Sequence, residues 1–105
     1  MTTLEALAMG VPVIAAPAET ISSRLAPACL AALGLTDFIA EDRSAYIALA
    51  AARATDLDAL AKLRQDLPSR MARSPVGDGP GYARAVEATY REMWRTWCLN
   101  MGYFA

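Results

Sequence analysis

The stretch TTLEALAMGVPVIAAPAETISSR, Thr2–Arg24, decides the fold that this sequence predicts. Either threonine at its start can cap a short helix, and Gly10 is placed to end that helix. The run VPVIAA at 11–16 is short and apolar and precedes a polar loop, which predicts a buried strand. Pro12 suits the beginning of such a strand, where the sheet demands no N–H donor. A helix, a turn and a strand in this order indicate an α/β domain.

The polar loop PAETISSR leads into a second predicted helix, at about residues 22–33, which ends before Gly34. Pro27 falls in the first turn or so of this helix, where a proline is tolerated. The run DFIA at 37–40 is predicted to be either a last short strand or an extended link.

The rest of the chain is predicted to be almost entirely helical. Asp42 or Ser44 caps a helix that runs to Thr55, and Asp56 starts the next helix. Leucines in this next helix recur every three to four residues, which is typical of a helix with one buried face. Pro68 should kink or divide it.

A turn-rich linker, SPVGDGPG at 74–81, precedes the last predicted helix, at 82–97. This helix is amphipathic, and its apolar face consists of Tyr82, Val86, Tyr90, Met93, Trp94 and Trp97. One or two short parallel strands with four to five helices cannot build the sheet that such helices normally cover. We therefore expect an α/β fold in the form of a partial, helix-rich, Rossmann-like half. The expected single partial domain, 1–105, has a strand-and-helix segment at 1–40, a helical pair at 41–74 and a C-terminal amphipathic helix at 80–98.

The composition of the 105-residue chain argues against several classes of protein. Ten basic and 11 acidic residues give a net charge of −1, which provides no basic face for nucleic acid. No apolar stretch approaches the roughly 18 residues of a membrane span, and Glu5 interrupts the first apolar run, so we expect no membrane span and no signal peptide. The chain has no histidine, which removes a Ser-His-Asp triad and a histidine-containing zinc site. Cys29 and Cys98 lack metal-binding spacing and are expected to be free thiols.

The first predicted helix carries the side chains best suited to a nucleotide. Thr2 and Thr3 place hydroxyls at a helix start, where unpaired N–H groups accept phosphate. Glu5 lies one turn further, where a carboxylate can bind a ribose diol. Threonine caps and a first-turn glutamate are also ordinary features of a helix start. The spacing alone favours this ordinary explanation.

The opening stretch resembles the donor-site segment of GT-B glycosyltransferases, in which an acidic residue precedes a small-x-Gly-x-Pro-Val turn, here EALAMGVPV. TTLEAL followed by PAETISSR narrows the resemblance to the C-terminal catalytic region of protein O-GlcNAc transferases, including SPINDLY-like members that carry tetratricopeptide repeats. The likeness continues through GLTDFIAEDRSAYIALAAARATDLDALAKLRQDL and ends with YARAVEATYREMWRTW. It covers nearly the whole chain, to about Trp97.

The resemblance implies an enzyme that transfers GlcNAc from UDP-GlcNAc to Ser or Thr hydroxyls of acceptor proteins, without a metal or other cofactor. Related SPINDLY enzymes use a fucose donor, so the exact sugar is left open. Thr2 and Thr3 would contact the UDP diphosphate, and Glu5 would bind the uridine ribose. No catalytic residue is assigned within this chain.

Three further residues match the family's GETxxSR loop: Glu19, Thr20 and Arg24. They are expected to support the loop through an ion pair or cap, with direct substrate contact as the alternative. Ala18 replaces the glycine that is usual there, so the loop backbone is less free to adopt a positive φ. The late aromatic residues are expected to pack against the Rossmann half and the seam between domains.

The resemblance also implies parts of the enzyme that this sequence does not contain, including the N-terminal Rossmann half. We therefore expect a cytoplasmic fragment that contributes part of the donor site and is inactive alone. Its expected partners are UDP-GlcNAc or UDP, the remainder of the GT-B enzyme or an upstream chain, and acceptor proteins in the full enzyme. The alternatives are a UDP-binding half-site and a helical interaction module without catalysis.

Overall fold

Five α-helices account for most of the computed structural model, which describes residues 2–103. Two single turns of 3₁₀ helix, Ser22–Arg24 and Thr36–Phe38, lie on either side of the second α-helix. The α-helices are α1 Thr2–Ala8, α2 Leu25–Ala32, α3 Arg43–Thr55, α4 Leu57–Arg73 and α5 Gly79–Asn100.

The predicted α/β fold is wrong, because residues 2–103 contain no strand and no sheet. The run 11–16 is extended, but it pairs with its neighbour only through one isolated parallel bridge between Ala15 and Ile39. The Ala15 N–H donates to the Phe38 carbonyl at 3.1 Å, and the Ala40 N–H donates to the Ala15 carbonyl at 2.8 Å. The facing segment is extended for too few residues, between a 3₁₀ turn and α3, to add a second pair. The described chain is therefore all-helical, and neither predicted strand nor the Rossmann-like half is present.

The core lies where α1, α2 and α4 meet. Each helix contributes one fully buried leucine, Leu7 from α1, Leu30 from α2 and Leu67 from α4. Burial of such a side chain stabilises the fold by about 1.5–3 kcal/mol. Further buried members of this cluster are Ala15, Leu33, Leu35 and Phe38. Three helices that are distant in sequence are thus held together by a small hydrophobic cluster.

Aspartate side chains cap the three longer helices. The Asp42 carboxylate accepts from the Ala45 N–H at 2.7 Å, and the Asp56 carboxylate accepts from the Ala59 N–H at 3.0 Å. Asp42, not Ser44, is therefore the cap of α3, and Asp56 starts α4 as predicted. Asp78 caps α5 in the same way, so this helix begins at Gly79 and takes in part of the predicted linker.

Glycine ends the first two helices, as predicted. Gly10 has φ +76° and Gly34 has φ +70°, a backbone conformation that side chains disfavour. At the end of α1 the Gly10 N–H donates to the Leu7 carbonyl and the Val11 N–H donates to the Ala6 carbonyl. This pair of bonds is the Schellman motif, and the same pair occurs around Gly34 at the end of α2.

The last helix extends away from the others. Residues 2–103 measure 63 × 30 × 18 Å, with a radius of gyration of 18.3 Å. A compact domain of this length has a radius of gyration of about 13 Å. Within the described chain α5 makes no extensive contact with another helix, and Cys98 is its only buried residue. The molecule is therefore a small helical body with a projecting 22-residue helix.

Candidate functional site

Helix α1 places the predicted donor residues on its outer side. Thr2 and Glu5 are exposed and lie three residues apart, so their side chains are neighbours on one face of the helix. Thr3 is half-buried. Within residues 2–103 no hydrogen bond or ion pair involves these three side chains. Two hydroxyls and one carboxylate are thus available to a ligand at this end of α1.

The inner side of α1 is fixed by packing. Leu7 is fully buried and Leu4 is half-buried, and both point away from the exposed face. The contacts of α1 are mainly with α4 and, to a smaller extent, with α2. The positions of Thr2, Thr3 and Glu5 therefore depend on how α1 packs against α4.

The loop 17–24 is held by a serine that the sequence analysis did not single out. The Ser23 hydroxyl donates to the Thr20 carbonyl at 2.6 Å and accepts from the Ala18 N–H at 3.0 Å. The Thr20 hydroxyl also lies 3.2 Å from the Ser22 hydroxyl. Serine side chains in loops commonly form hydrogen bonds with nearby backbone groups. This tendency could have identified Ser23 from the sequence.

Glu19 and Arg24 are exposed, and none of the ion pairs among residues 2–103 joins them. The predicted ion pair is therefore not formed, and the side chain of Arg24 does not cap α2. No hydrogen bond in the described chain links Glu19, Thr20 or Arg24 to the donor residues of α1. The hydrogen bonds of the described residues therefore do not join the loop residues to those of α1.

A cleft of about 370 Å³ lies elsewhere, between the 3₁₀ turn Thr36–Phe38, α3 and α4. Its apolar lining includes Leu35 and Phe38, and its charged lining includes Arg53. The Arg53 guanidinium donates to the Asp37 carboxylate at 2.5 Å and lies 4.4 Å from the centre of the Phe38 ring. The cleft includes no predicted site residue. Because Arg53 is already paired with Asp37, we interpret its contacts in the cleft as structural.

The described residues also bear on metal and membrane binding. Residues 2–103 contain no group of three or more His, Cys, Asp or Glu side chains close enough to hold a metal ion. The expectation that no cofactor is needed stays a prediction. None of the helices in this part of the chain combines the length and the apolar character needed to cross a lipid bilayer.

The side chains of Thr2, Thr3 and Glu5 are of kinds that can form hydrogen bonds with a nucleotide. Threonine hydroxyls can donate to phosphate oxygens, and a carboxylate accepts hydrogen bonds from a diol. The whole chain lacks histidine, the commonest general base.

Comparison with known proteins gives consistent matches along the chain. The sequence profile of glycosyl transferase family 41 matches residues 1–86. A probable UDP-N-acetylglucosamine–peptide N-acetylglucosaminyltransferase SPINDLY of Oryza sativa subsp. japonica is 38% identical over 97 residues, which cover 92% of this chain and 10% of the rice protein. The corresponding Arabidopsis thaliana protein is 37% identical over 97 residues, 92% of this chain and 11% of that protein.

A more distant relative is the UDP-N-acetylglucosamine–peptide N-acetylglucosaminyltransferase of Caenorhabditis elegans. It is 30% identical over 100 residues, which cover 95% of this chain and 9% of the nematode protein. The chain thus spans about a tenth of the length of these relatives.

Proposed function

Because the chain belongs to glycosyl transferase family 41, we propose that it contributes part of the nucleotide-sugar donor site of a protein O-GlcNAc transferase. Thr2 and Thr3 contact the diphosphate of UDP-GlcNAc, and Glu5 binds the uridine ribose. The observation that carries this proposal is the family match over residues 1–86, which includes all three residues. The exposure of Thr2 and Glu5 on one face of α1 supports it.

The family chemistry would use this segment for positioning. Hydrogen bonds from the threonine hydroxyls to the diphosphate stabilise charge that develops on the leaving group. A ribose held at Glu5 fixes the donor relative to the rest of the site. The catalytic groups and the surface that binds the acceptor protein are supplied by the remainder of the enzyme, on the same chain or on another.

The exposed face of α5 supports the need for such a partner. Trp94 is 61% exposed and Trp97 is 47% exposed, and Tyr90 and Met93 on the same helix are more than half exposed. Contiguous apolar surface of this kind marks an interaction site. We propose that the remainder of a family 41 enzyme covers it, and that the 105 residues alone transfer no sugar.

The donor site is tested by titrating UDP into the 105-residue chain and following amide NMR signals. We expect weak binding, with a Kd of about 1 mM, and signal shifts confined to the first turns of α1. Glu5→Ala and Thr2→Ala should each weaken binding about tenfold, since each removes a hydrogen bond to a charged or buried ligand group. Glu41→Ala, at an exposed glutamate without an ion pair in the described chain, serves as the control.

Two results would contradict the proposal. Either UDP shifts no signal in α1, or the Glu5→Ala and Glu41→Ala chains bind UDP equally. A GDP titration in parallel tests the choice of nucleotide, because tighter binding of GDP would assign a different donor. Transfer itself is tested by incubating the chain with UDP-GlcNAc and an acceptor peptide, and product detected by mass spectrometry would overturn the predicted inactivity.

A further inference from the structure

Gly10, two residues after the end of α1, lies very close to the backbone of α4. A Cβ atom placed on Gly10 would lie 2.6 Å from the Arg64 carbonyl oxygen and 3.2 Å from the Arg64 Cγ. The first distance is shorter than real Cβ contacts allow, so no side chain fits at Gly10 unless α1 and α4 move apart. Gly10 is also buried. The end of α1 thus rests directly on the backbone of α4.

The Arg64 carbonyl is the one carbonyl of α4 that Pro68 deprives of its helix partner. In a regular helix it would accept from the N–H of the residue four positions later, and that residue is Pro68, which has none. A proline ring also pushes the carbonyl four residues before it outward from the helix. The carbonyl that contacts Gly10 therefore lacks the N–H partner that a regular helix would provide four residues later, and the proline ring favours its displacement from the helix.

We propose that Gly10 and Pro68 act together as positioning residues that set the direction of α1 on α4. The proposal rests on the proposed function, because α1 carries Thr2, Thr3 and Glu5. About 12 Å of helix separates Gly10 from Thr2, so a tilt of about 10° at Gly10 moves Thr2 by about 2 Å. A displacement of this size is enough to spoil hydrogen bonds to a diphosphate.

The contact is tested first without nucleotide, by amide NMR of the full 105-residue chain. Pro68→Ala restores the N–H that the Arg64 carbonyl lacks and improves helix propensity, so this variant should fold. We expect the Arg64 carbonyl to accept a hydrogen bond from the new N–H at position 68. The amide signals of Thr2–Gly10 should then shift, although none of these residues has changed. Unmoved signals in α1 would overturn the proposal.

Gly34 provides a matched control for substitution at Gly10. Both glycines end a helix in the same motif with nearly the same φ, but a Cβ on Gly34 meets nothing within 4 Å. Ala at either position carries the same backbone strain, and only Ala at Gly10 meets α4. We therefore expect Gly10→Ala to lower the Tm by about 5 °C more than Gly34→Ala does. When Pro68→Ala is also present, the difference in Tm between the Gly10→Ala and Gly34→Ala variants should become smaller. An unchanged difference would contradict the proposal that Gly10 and Pro68 act together.

UDP titration then separates this proposal from the donor-site proposal. If the unaltered chain binds UDP, Pro68→Ala should weaken binding about tenfold while the Tm stays level or rises, a result that loss of stability cannot explain. Shifted α1 signals with unchanged UDP affinity would overturn the positioning role. If the unaltered chain does not bind UDP, the donor-site proposal fails, and the shifts in α1 still decide whether Gly10 and Pro68 set its direction.

Discussion

Arg53 connects two parts of the chain through one side chain. Its guanidinium pairs with Asp37, 16 residues earlier, and lies over the ring of the buried Phe38. Arginine suits this position because its planar group can pair with a carboxylate and stack on a ring at the same time. The 3₁₀ turn is thereby held against α3.

Replacement of Arg53 by alanine should lower the free energy of unfolding by about 1 kcal/mol, the sum of a partly exposed ion pair and a cation–π contact. Arg53→Lys keeps the charge but loses the planar stack, so it should recover about half of this loss. Urea denaturation followed by circular dichroism measures both. Arg91→Ala, which breaks an exposed pair with Glu87 within α5, is the control and should cost less than about 0.5 kcal/mol. If Arg53→Ala and Arg91→Ala lowered the free energy of unfolding equally, the stacking of Arg53 on the Phe38 ring would contribute nothing.

Residues that act on their immediate neighbours were predictable from the sequence. Asp42 and Asp56 cap the helices that follow them, and Gly10 and Gly34 end the helices before them, because each needs only a few adjacent residues. The role of Arg53 was not predictable. Its partners are brought to it only by the packing of α3, and no spacing in the sequence signals this.

At the level of the elements, Asp56 is the junction between α3 and α4. It follows the last residue of α3 and caps α4, so the two helices are joined by this single residue. Because no loop separates the two helices, the backbone conformation of Asp56 determines the angle between them. Any loosening of the cap lets the first turn of α4 unwind.

Asp56→Ala should destabilise the chain by about 1 kcal/mol, because the first turn of α4 loses its side-chain acceptor. Asp56→Asn should be nearly neutral, since asparagine caps as well as aspartate. Thermal unfolding monitored by circular dichroism distinguishes the two variants. The explanation is wrong if asparagine is as harmful as alanine, since the charge and not the cap would then be responsible.

The strands were the elements that the sequence did not predict correctly. The apolar run 11–16 has the composition of a buried strand, but a strand also requires a partner of matching length. Its only partner in the described chain is the short segment around Ile39, which contributes one bridge. Helices close their own backbone hydrogen bonds, so all five formed without such a partner.

At the level of the whole molecule, α5 is separate from the core. The buried hydrophobic cluster comes entirely from residues between Leu7 and Leu67, and Val76 is the last residue packed against it. The projecting helix also accounts for the large radius of gyration. The stability of the core should therefore not depend on α5.

A chain that ends at Asp78 should unfold cooperatively, with a Tm within a few degrees of that of the full chain. Its radius of gyration, measured by small-angle X-ray scattering, should fall from about 18 Å towards about 12 Å. Loss of cooperative unfolding would mean that α5 packs on the core in solution. A full chain with a radius of gyration near about 13 Å would lead to the same conclusion.

The candidate site was only partly predictable at this scale. Thr2 and Glu5 lie together on α1 because three-residue spacing suffices for that. The loop residues Glu19 and Arg24 form no ion pair in the described chain, and the side-chain hydrogen bonds to the loop backbone come from Ser23 instead.

The location of the aromatic residues also determines what an optical probe can report. Both tryptophans of the chain, Trp94 and Trp97, are on α5, and their rings stack 5.2 Å apart. Tryptophan emission shifts to the blue when the indole leaves water. Tryptophan fluorescence of this protein should therefore change little when its core unfolds. It reports instead the moment at which another surface covers α5, with no label attached.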